Sequence, residues 1–238
     1  MPVNDDDPRP LTRRERLRRQ TVDEIVQRAL ELVDADGAHG LSLASVGKAV
    51  GMTPPALYHY FASREALLDA LVTAGYADLG AAVGTAARTA ADRPAAERLG
   101  AIAHAWRRWA LDHPRRYSML FTGSRRENVD PLESVSAISQ SMLALVTTLE
   151  SLAARDGAGA EGAGRAAGGD LDQDLTRWGA SLGVPTAPPT ALRLALSTWH
   201  RVHGLVSLEI VGAFDTTGLD GAHLLTAEIG ALIREAQG

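Results

Sequence analysis

The chain has 238 residues, 45% of them apolar, a net charge of −5 and no cysteine. That length accommodates one large domain or two small ones with an ample core. The lack of cysteine excludes a disulfide framework and thiolate metal sites. No uninterrupted apolar run reaches the roughly 18 residues of a bilayer span, and the opening MPVNDDDPRP has no apolar stretch of the kind a secretory signal carries. The expectation is a cytoplasmic protein with no membrane association.

The net charge does not announce a nucleic-acid partner, but its distribution is uneven. Arg9, Arg13, Arg14, Arg16, Arg18 and Arg19 crowd into eleven residues against one acid, Glu15. This run is either a solvated tail or a basic arm that adds phosphate contacts.

Apolar residues then recur at helical spacing. Val22, Ile25, Val26, Ala29, Leu30 and Val33 mark a first helix, with Thr21 and Glu24 as its capping box and Gly37 and Gly40 as its end. A short second helix follows Ser42 and buries Leu43, Val46 and Val50. The third runs from Pro54 to Phe61. A fourth, capped by Ser63, presents Leu67, Leu68, Leu71, Val72 and Leu79 on one face. Further helices are expected over Leu99–Leu111, from Pro131 through Ile138, Met142, Leu145 and Leu149, from Pro189 to about Phe214, and after Asp220 to about Glu235. No segment alternates as a strand does. Residues 154–170 hold six glycines and six alanines and read as a flexible loop. Their G-x-G-x-x-G (Gly157, Gly159, Gly162) lacks the preceding strand that a nucleotide-binding turn requires.

The stretch from Ser42 to Phe61 has the spacing of a helix-turn-helix. Gly47 permits a close crossing, and Gly51 serves a turn that favours positive φ. Thr53 is placed as an N-cap. Pro54 and Pro55 fill the first two helical positions, where a backbone N–H has no intrahelical partner to lose. Three of the chain's eleven aromatics follow at Tyr58, Tyr60 and Phe61. Helical spacing turns Leu57 and Phe61 inward and Tyr58 and His59 outward, with Tyr60 at the boundary. Outward, the tyrosine hydroxyl suits a phosphate and the histidine a phosphate or a base edge.

The string GLSLASVGKAVGMTPPALYHYFASREALL resembles the TetR family of bacterial transcriptional regulators, over roughly residues 19–75. The resemblance implies DNA-contacting positions at Ser42, Ala44, Ser45, Thr53, Pro54, Pro55, Ala56, Tyr58, His59, Tyr60 and Arg64. Ala44 and Ala56 stand where family members often carry polar contacts, which shifts weight towards phosphates and DNA shape. ALDHPRRYSMLF and WHRVHGLVSLEIVGAF are similar to the regulatory domain of the WHG type, named for its Trp-x-x-x-His-Gly. The resemblance implies an all-helical homodimer whose C-terminal half takes a small effector.

The expected architecture is therefore all-α. It comprises a basic, disordered arm at 1–18, a three-helix helix-turn-helix domain at 19–75 with its motif at 42–61, and a larger helical effector-binding and dimerisation domain at 76–238. Trp106, Trp109, Tyr117, Met119, Phe121, Met142, Trp199 and His203 suit an apolar pocket with a few polar handles, and suit a plain core equally. His200 and His203 have no third metal ligand nearby, and neither a metal nor a cofactor is expected. The pairs Arg107-Arg108, Arg115-Arg116 and Arg125-Arg126 suggest a solvated rim or a site for an anionic effector. Two function classes follow. One is a homodimeric DNA-binding repressor that holds a pseudo-palindromic operator in double-stranded DNA and is released by a small molecule. The other is a helical carrier or enzyme in which the helix-turn-helix is only architecture; no nucleophile–base spacing or phosphate loop supports it.

Overall fold

The computed structural model describes residues 12–121, 142–150 and 169–237, and among these the regular structure is helical throughout. Its elements are α1 (Arg13–Asp36), a short 3-10 turn (Ala38–Gly40), α2 (Leu43–Val50), α3 (Pro54–Tyr58), α4 (Arg64–Thr89), α5 (Ala95–Asp112) and α6 (Pro114–Phe121). There follow α7 (142–150), α8 (Gly169–Ser181), α9 (Pro189–Ile210) and α10 (Gly221–Gln237). The chain divides into two compact units at Leu71/Val72, within α4. The expectations at Pro131, Ile138, Arg125, Arg126 and Arg9, and the Gly/Ala stretch up to residue 168, lie outside the described residues.

The first unit departs from expectation at its start. α1 begins at Arg13, eight residues before the expected cap at Thr21. Thr12 caps it in a reciprocal box with Glu15, while Thr21 lies inside the helix and its hydroxyl donates to the Leu17 carbonyl. The arginines from Arg13 to Arg19 therefore ride on a helix, not on a disordered arm. Residues 12–20 are exposed on every face, so this segment carries no apolar periodicity to betray it.

Ile25, Ala29, Leu30 and Val33 of α1 are buried with Leu43 and Val46 of α2, Leu57 of α3, and Phe61, Leu67, Leu68 and Leu71. Gly51 ends α2 in the left-handed conformation at φ 70°, which glycine adopts without a Cβ clash. The crossing at Gly47 is tighter than a helix–helix approach: a Cβ there would meet the Met52 carbonyl oxygen at 3.0 Å. That carbonyl belongs to the turn, and the Met52 N–H returns a 2.8 Å bond to the Gly47 oxygen. α3 is shorter than expected, closing at Tyr58 with residues 59–60 in a turn.

In the second unit α5, α9 and α10 pack on one another, with α8 against α9 and α6 against α5. Leu99, Ile102, Trp106 and Ala110 of α5, Leu192, Ala195, Val202 and Val206 of α9, and Leu225, Ile229 and Leu232 of α10 form its core. The α8 helix is an addition to the expected elements. Leu175 and Gly179 bury its inner side, Gly179 lying against the Leu192 side chain. Two arginines expected at a solvated rim are instead engaged. Arg107 donates from Nε to Glu209 Oε2 at 2.7 Å, joining α5 to α9. Arg116 is 5% exposed and donates to Asp78 Oδ2 at 2.7 Å, joining α6 to α4. Arg108 and Arg115 are exposed.

α4 is the one helix among the described residues long and apolar enough to cross a bilayer by length and composition. Its apolar residues are spent on protein cores: Leu67, Leu68 and Leu71 in the first unit, Tyr76, Leu79 and Val83 in the second.

Gly47 gives a test in which propensity and packing oppose each other. Alanine would gain about 1 kcal/mol of helix propensity, but its methyl would press on a backbone carbonyl that cannot rotate away. Gly47→Ala is expected to lower the urea midpoint of the first unit. A raised midpoint would show that the turn yields.

Candidate functional site

The first unit presents α3 and the turn after it as a polar edge on an apolar anchor. Leu57 and Phe61 are buried, while Tyr58 is 56% exposed, His59 is exposed and Tyr60 is half-buried. The expected division of the aromatics by face is the one observed. Thr53 sits at the N-cap position, yet its hydroxyl makes no capping bond. Pro55, at the second helical position, has no N–H to offer it, so only Ala56 at the third could supply one. The Thr53 hydroxyl remains at the exposed tip of the helix. Ser42 and Ser45 are exposed too, but cap α2 reciprocally, each hydroxyl accepting from the other's N–H at 3.0 Å. Ala44 is exposed and Ala56 half-buried.

Arg64 is employed differently. Its Nε donates to the Leu41 carbonyl at 2.7 Å and one Nη to the Ala38 carbonyl at 2.9 Å. The guanidinium thus braces the start of α4 against the turn between α1 and α2.

α1 adds a basic wall. Arg18 lies over the Tyr60 ring, 5.4 Å from its centroid, a cation–π arrangement. It also donates to the His59 carbonyl at 3.3 Å. An open cleft of about 560 Å³ is lined by Arg13, Arg14, Leu17, Arg18, Thr21 and Tyr60. Arg18 thus ties the basic end of α1 to the turn that follows α3.

In the second unit, five of the eight expected pocket residues converge. The Phe121 ring lies 6.2 Å from Trp106, 4.6 Å from Tyr117 and 4.7 Å from His203, centroid to centroid. Trp199 and His203, one turn apart on α9, are parallel within 8° at 5.7 Å. The Tyr117 hydroxyl and His203 Nδ1 are 2.7 Å apart. Burial pushes the Tyr117 phenol up to about 12, with the Trp106 indole and the Ser207 hydroxyl nearby pulling the other way. Burial holds His203 below the usual imidazole range, so at neutral pH this is a phenol and a neutral imidazole. Trp109 stands apart from the cluster, its indole N–H donating to Asp78 Oδ2 at 3.0 Å. Met142 is buried on α7, and Met119 is buried on α6. His200 is exposed.

Comparison with known proteins bears on both units. Residues 25–71 match the family described as bacterial regulatory proteins, tetR family, and residues 99–232 match the tetracyclin repressor-like C-terminal domain. The chain belongs to the TetR family. The crystal structure of SCO4313 superposes with a TM-score of 0.69 at 33% identity, covering 93% of this chain and 98% of that one. The TetR family transcriptional regulator PfmR from Thermus thermophilus shares the fold, with a TM-score of 0.51 at 16% identity over 89% of this chain and 98% of its own. The HTH-type transcriptional regulator Rv1816 of Mycobacterium tuberculosis is 36% identical over 85 residues. That match spans 36% of each chain, so the resemblance covers only about a third of this curated relative.

Within the TetR framework, two residues escape a reading of the sequence. Arg18 stands there only as one charge of a run, and Asp78 has nothing to single it out. Neither has a local signal, because their partners lie 41 and 38 residues away.

The second unit carries a pH signature. Burial lowers His203, and burial followed by Arg107 and Arg108 lowers His104. Both are neutral in the fold, whereas the unfolded chain takes up protons below about pH 6.5. Their contribution is therefore present above that pH and lost as the pH falls. The melting temperature is expected to decline as the pH falls below about 6.5, and less steeply in the His104→Gln/His203→Gln variant. Parallel declines would show that neither histidine is responsible.

Proposed function

We propose that this TetR-family chain is a cytoplasmic repressor that binds an operator through α3 and is released by a small molecule held in its second unit. The observation that carries this reading is the exposed Thr53–His59 edge of the helix-turn-helix, flanked by the arginine-bearing α1. Tyr58 and His59 are offered to DNA, Pro54 and Pro55 provide an apolar tip suited to thymine methyl groups, and the arginines track phosphates.

A recognition helix of five residues reads few base pairs. Two copies held about one DNA turn, roughly 34 Å, apart would supply the missing specificity, so the reading includes a homodimer on a pseudo-palindrome. Val202, Leu225, Ile229 and Leu232 are used within the chain's own core, but Leu208, Val211 and Leu219 are exposed, Val211 by 75%. These support pairing through the end of α9 and the segment leading to α10. A monomer in analytical ultracentrifugation at micromolar concentration, free and with DNA, would refute that part.

Effector control would run through α6. Its Tyr117 and Phe121 meet α9 at His203. On its other side the Leu120 side chain rests on Gly75, and the Leu120 carbonyl accepts from the Tyr76 hydroxyl at 3.0 Å. A ligand that shifts α6 would press on α4, with leverage limited to its differential affinity for the two arrangements.

The direct test selects binding duplexes from a random pool and measures affinity against salt. Tyr58→Phe should weaken binding modestly and evenly across sequences, whereas His59→Ala should change base preference. Removing the charges of Arg13, Arg14 and Arg18 together should make the slope of log affinity against log salt shallower by about 2 to 3. No selected sequence, or a slope untouched by the triple variant, would count against the interface described.

A further inference from the structure

The aromatic cluster of the second unit is rich in hydrogen-bond donors and poor in acceptors. Trp106 is 2% exposed, and neither its indole Nε1 nor that of Trp199 has a hydrogen-bond partner. An indole N–H can only donate. The Trp106 indole stands near the Tyr117 hydroxyl without completing a hydrogen bond to it. The other polar contact of the cluster, Tyr117 to His203, consumes one donor and one acceptor in either tautomer and leaves the surplus unchanged.

Buried donors are ordinarily paired, because an unpaired one forfeits its bond to water. Two in one aromatic cluster therefore call for a partner that brings acceptors. Its charge is limited by the surroundings. Among the described residues no carboxylate acts on His203 or on Tyr117. Asp78 and Glu209 are held by Arg116 and Arg107. Among the described residues, a buried cation would find no counter-charge there. The shape is limited by the rings: Trp199 and His203 form a parallel pair, with Phe121 tilted against His203.

We infer that this cluster binds a flat, conjugated, uncharged small molecule whose carbonyl oxygen accepts from the unpaired indole of Trp106, of Trp199 or of both. The inference deepens the effector reading proposed above and rests on the same second unit. The ligand stacks on the ring wall of α6 and α9, and selectivity comes from the oxygen, not from area alone.

Three probes sharing one ring system test this: acetylnaphthalene, naphthalene and naphthylmethylammonium, titrated by calorimetry into the full chain. The ketone should bind about fivefold or more tightly than the hydrocarbon, as one to two neutral hydrogen bonds provide, and the ammonium should not bind measurably. The Trp106→Phe/Trp199→Phe variant keeps an aromatic ring at each position and removes the donors, and it should erase the ketone's preference over naphthalene. In the unaltered protein, at least one of these two indole N–H resonances should move downfield on adding the ketone, a readout that does not depend on the variant folding. A preference that survives in the variant, unmoved resonances, an ammonium that binds as well as the ketone, or no binding by any probe would each overturn the proposal. Adding selected DNA separates it from the effector reading. Ketone binding that leaves DNA affinity unchanged would sink effector control and leave this site standing. Ketone-driven release that persists in the variant would do the reverse.

Discussion

Asp78 Oδ2, on α4, accepts from Arg116 of α6 at 2.7 Å and from the Trp109 indole of α5 at 3.0 Å, and this shared oxygen fixes where α6 lies. Arg116 is buried, so its charge has lost most of its water and needs a well-placed anion. The Asp78 side chain keeps 46% of its surface exposed, so only one partner bears the full cost of leaving water. With Arg116 held, Leu120 one turn later sits on Gly75, and the next face of α6 presents Tyr117 and Phe121 to α9. The aromatic cluster is thus a downstream consequence of a carboxylate that belongs to no ring.

The first unit is held together differently. Five residues are too few for a helix to persist alone in water, because nucleation is unfavourable and the propagating bonds are few. α3 survives because its surroundings hold it. Leu57 and Phe61 are buried, the Met52–Gly47 bond closes the preceding turn, and Arg18 holds the His59 carbonyl at the far end. The exposed edge of α3 is rigid because everything behind it is occupied.

Much of this is legible in the sequence. The turn at Gly51, the proline start, the inward Leu57 and Phe61 and the outward Tyr58 and His59 all follow from spacing, since they are local. The start of α1 is ambiguous because Thr12 and Thr21 each stand three residues before a glutamate, and only the second precedes an apolar run. Tertiary surroundings do not distinguish the two in one dimension. α8 is easy to miss although Leu171, Leu175, Trp178 and Leu182 repeat at helical spacing; the adjoining Gly/Ala stretch obscures the signal. The arginines are the main failure. In sequence Arg64 stands at a position that the resemblance gives to DNA, and Arg107 and Arg116 at a solvated rim or an anionic-effector site, whereas their partners lie 23, 102 and 38 residues away. Ion pairs and carbonyl contacts of that range leave no periodic trace. Trp109 parts from Trp106 for the same reason, since its partner is a distant carboxylate.

The two prolines at the start of α3 have a consequence for what the protein refuses. A helix beginning with ordinary residues opens on free N–H groups that can grip a phosphate or any base acceptor. Here those two groups do not exist. If this tip enters a groove, it strips water from the base edges beneath it and returns little in exchange. A thymine methyl loses nothing by that trade, whereas a guanine or cytosine edge forfeits hydrogen bonds to water that the tip cannot replace. Discrimination at those base pairs would then arise by exclusion, through the penalty imposed on the wrong sequence.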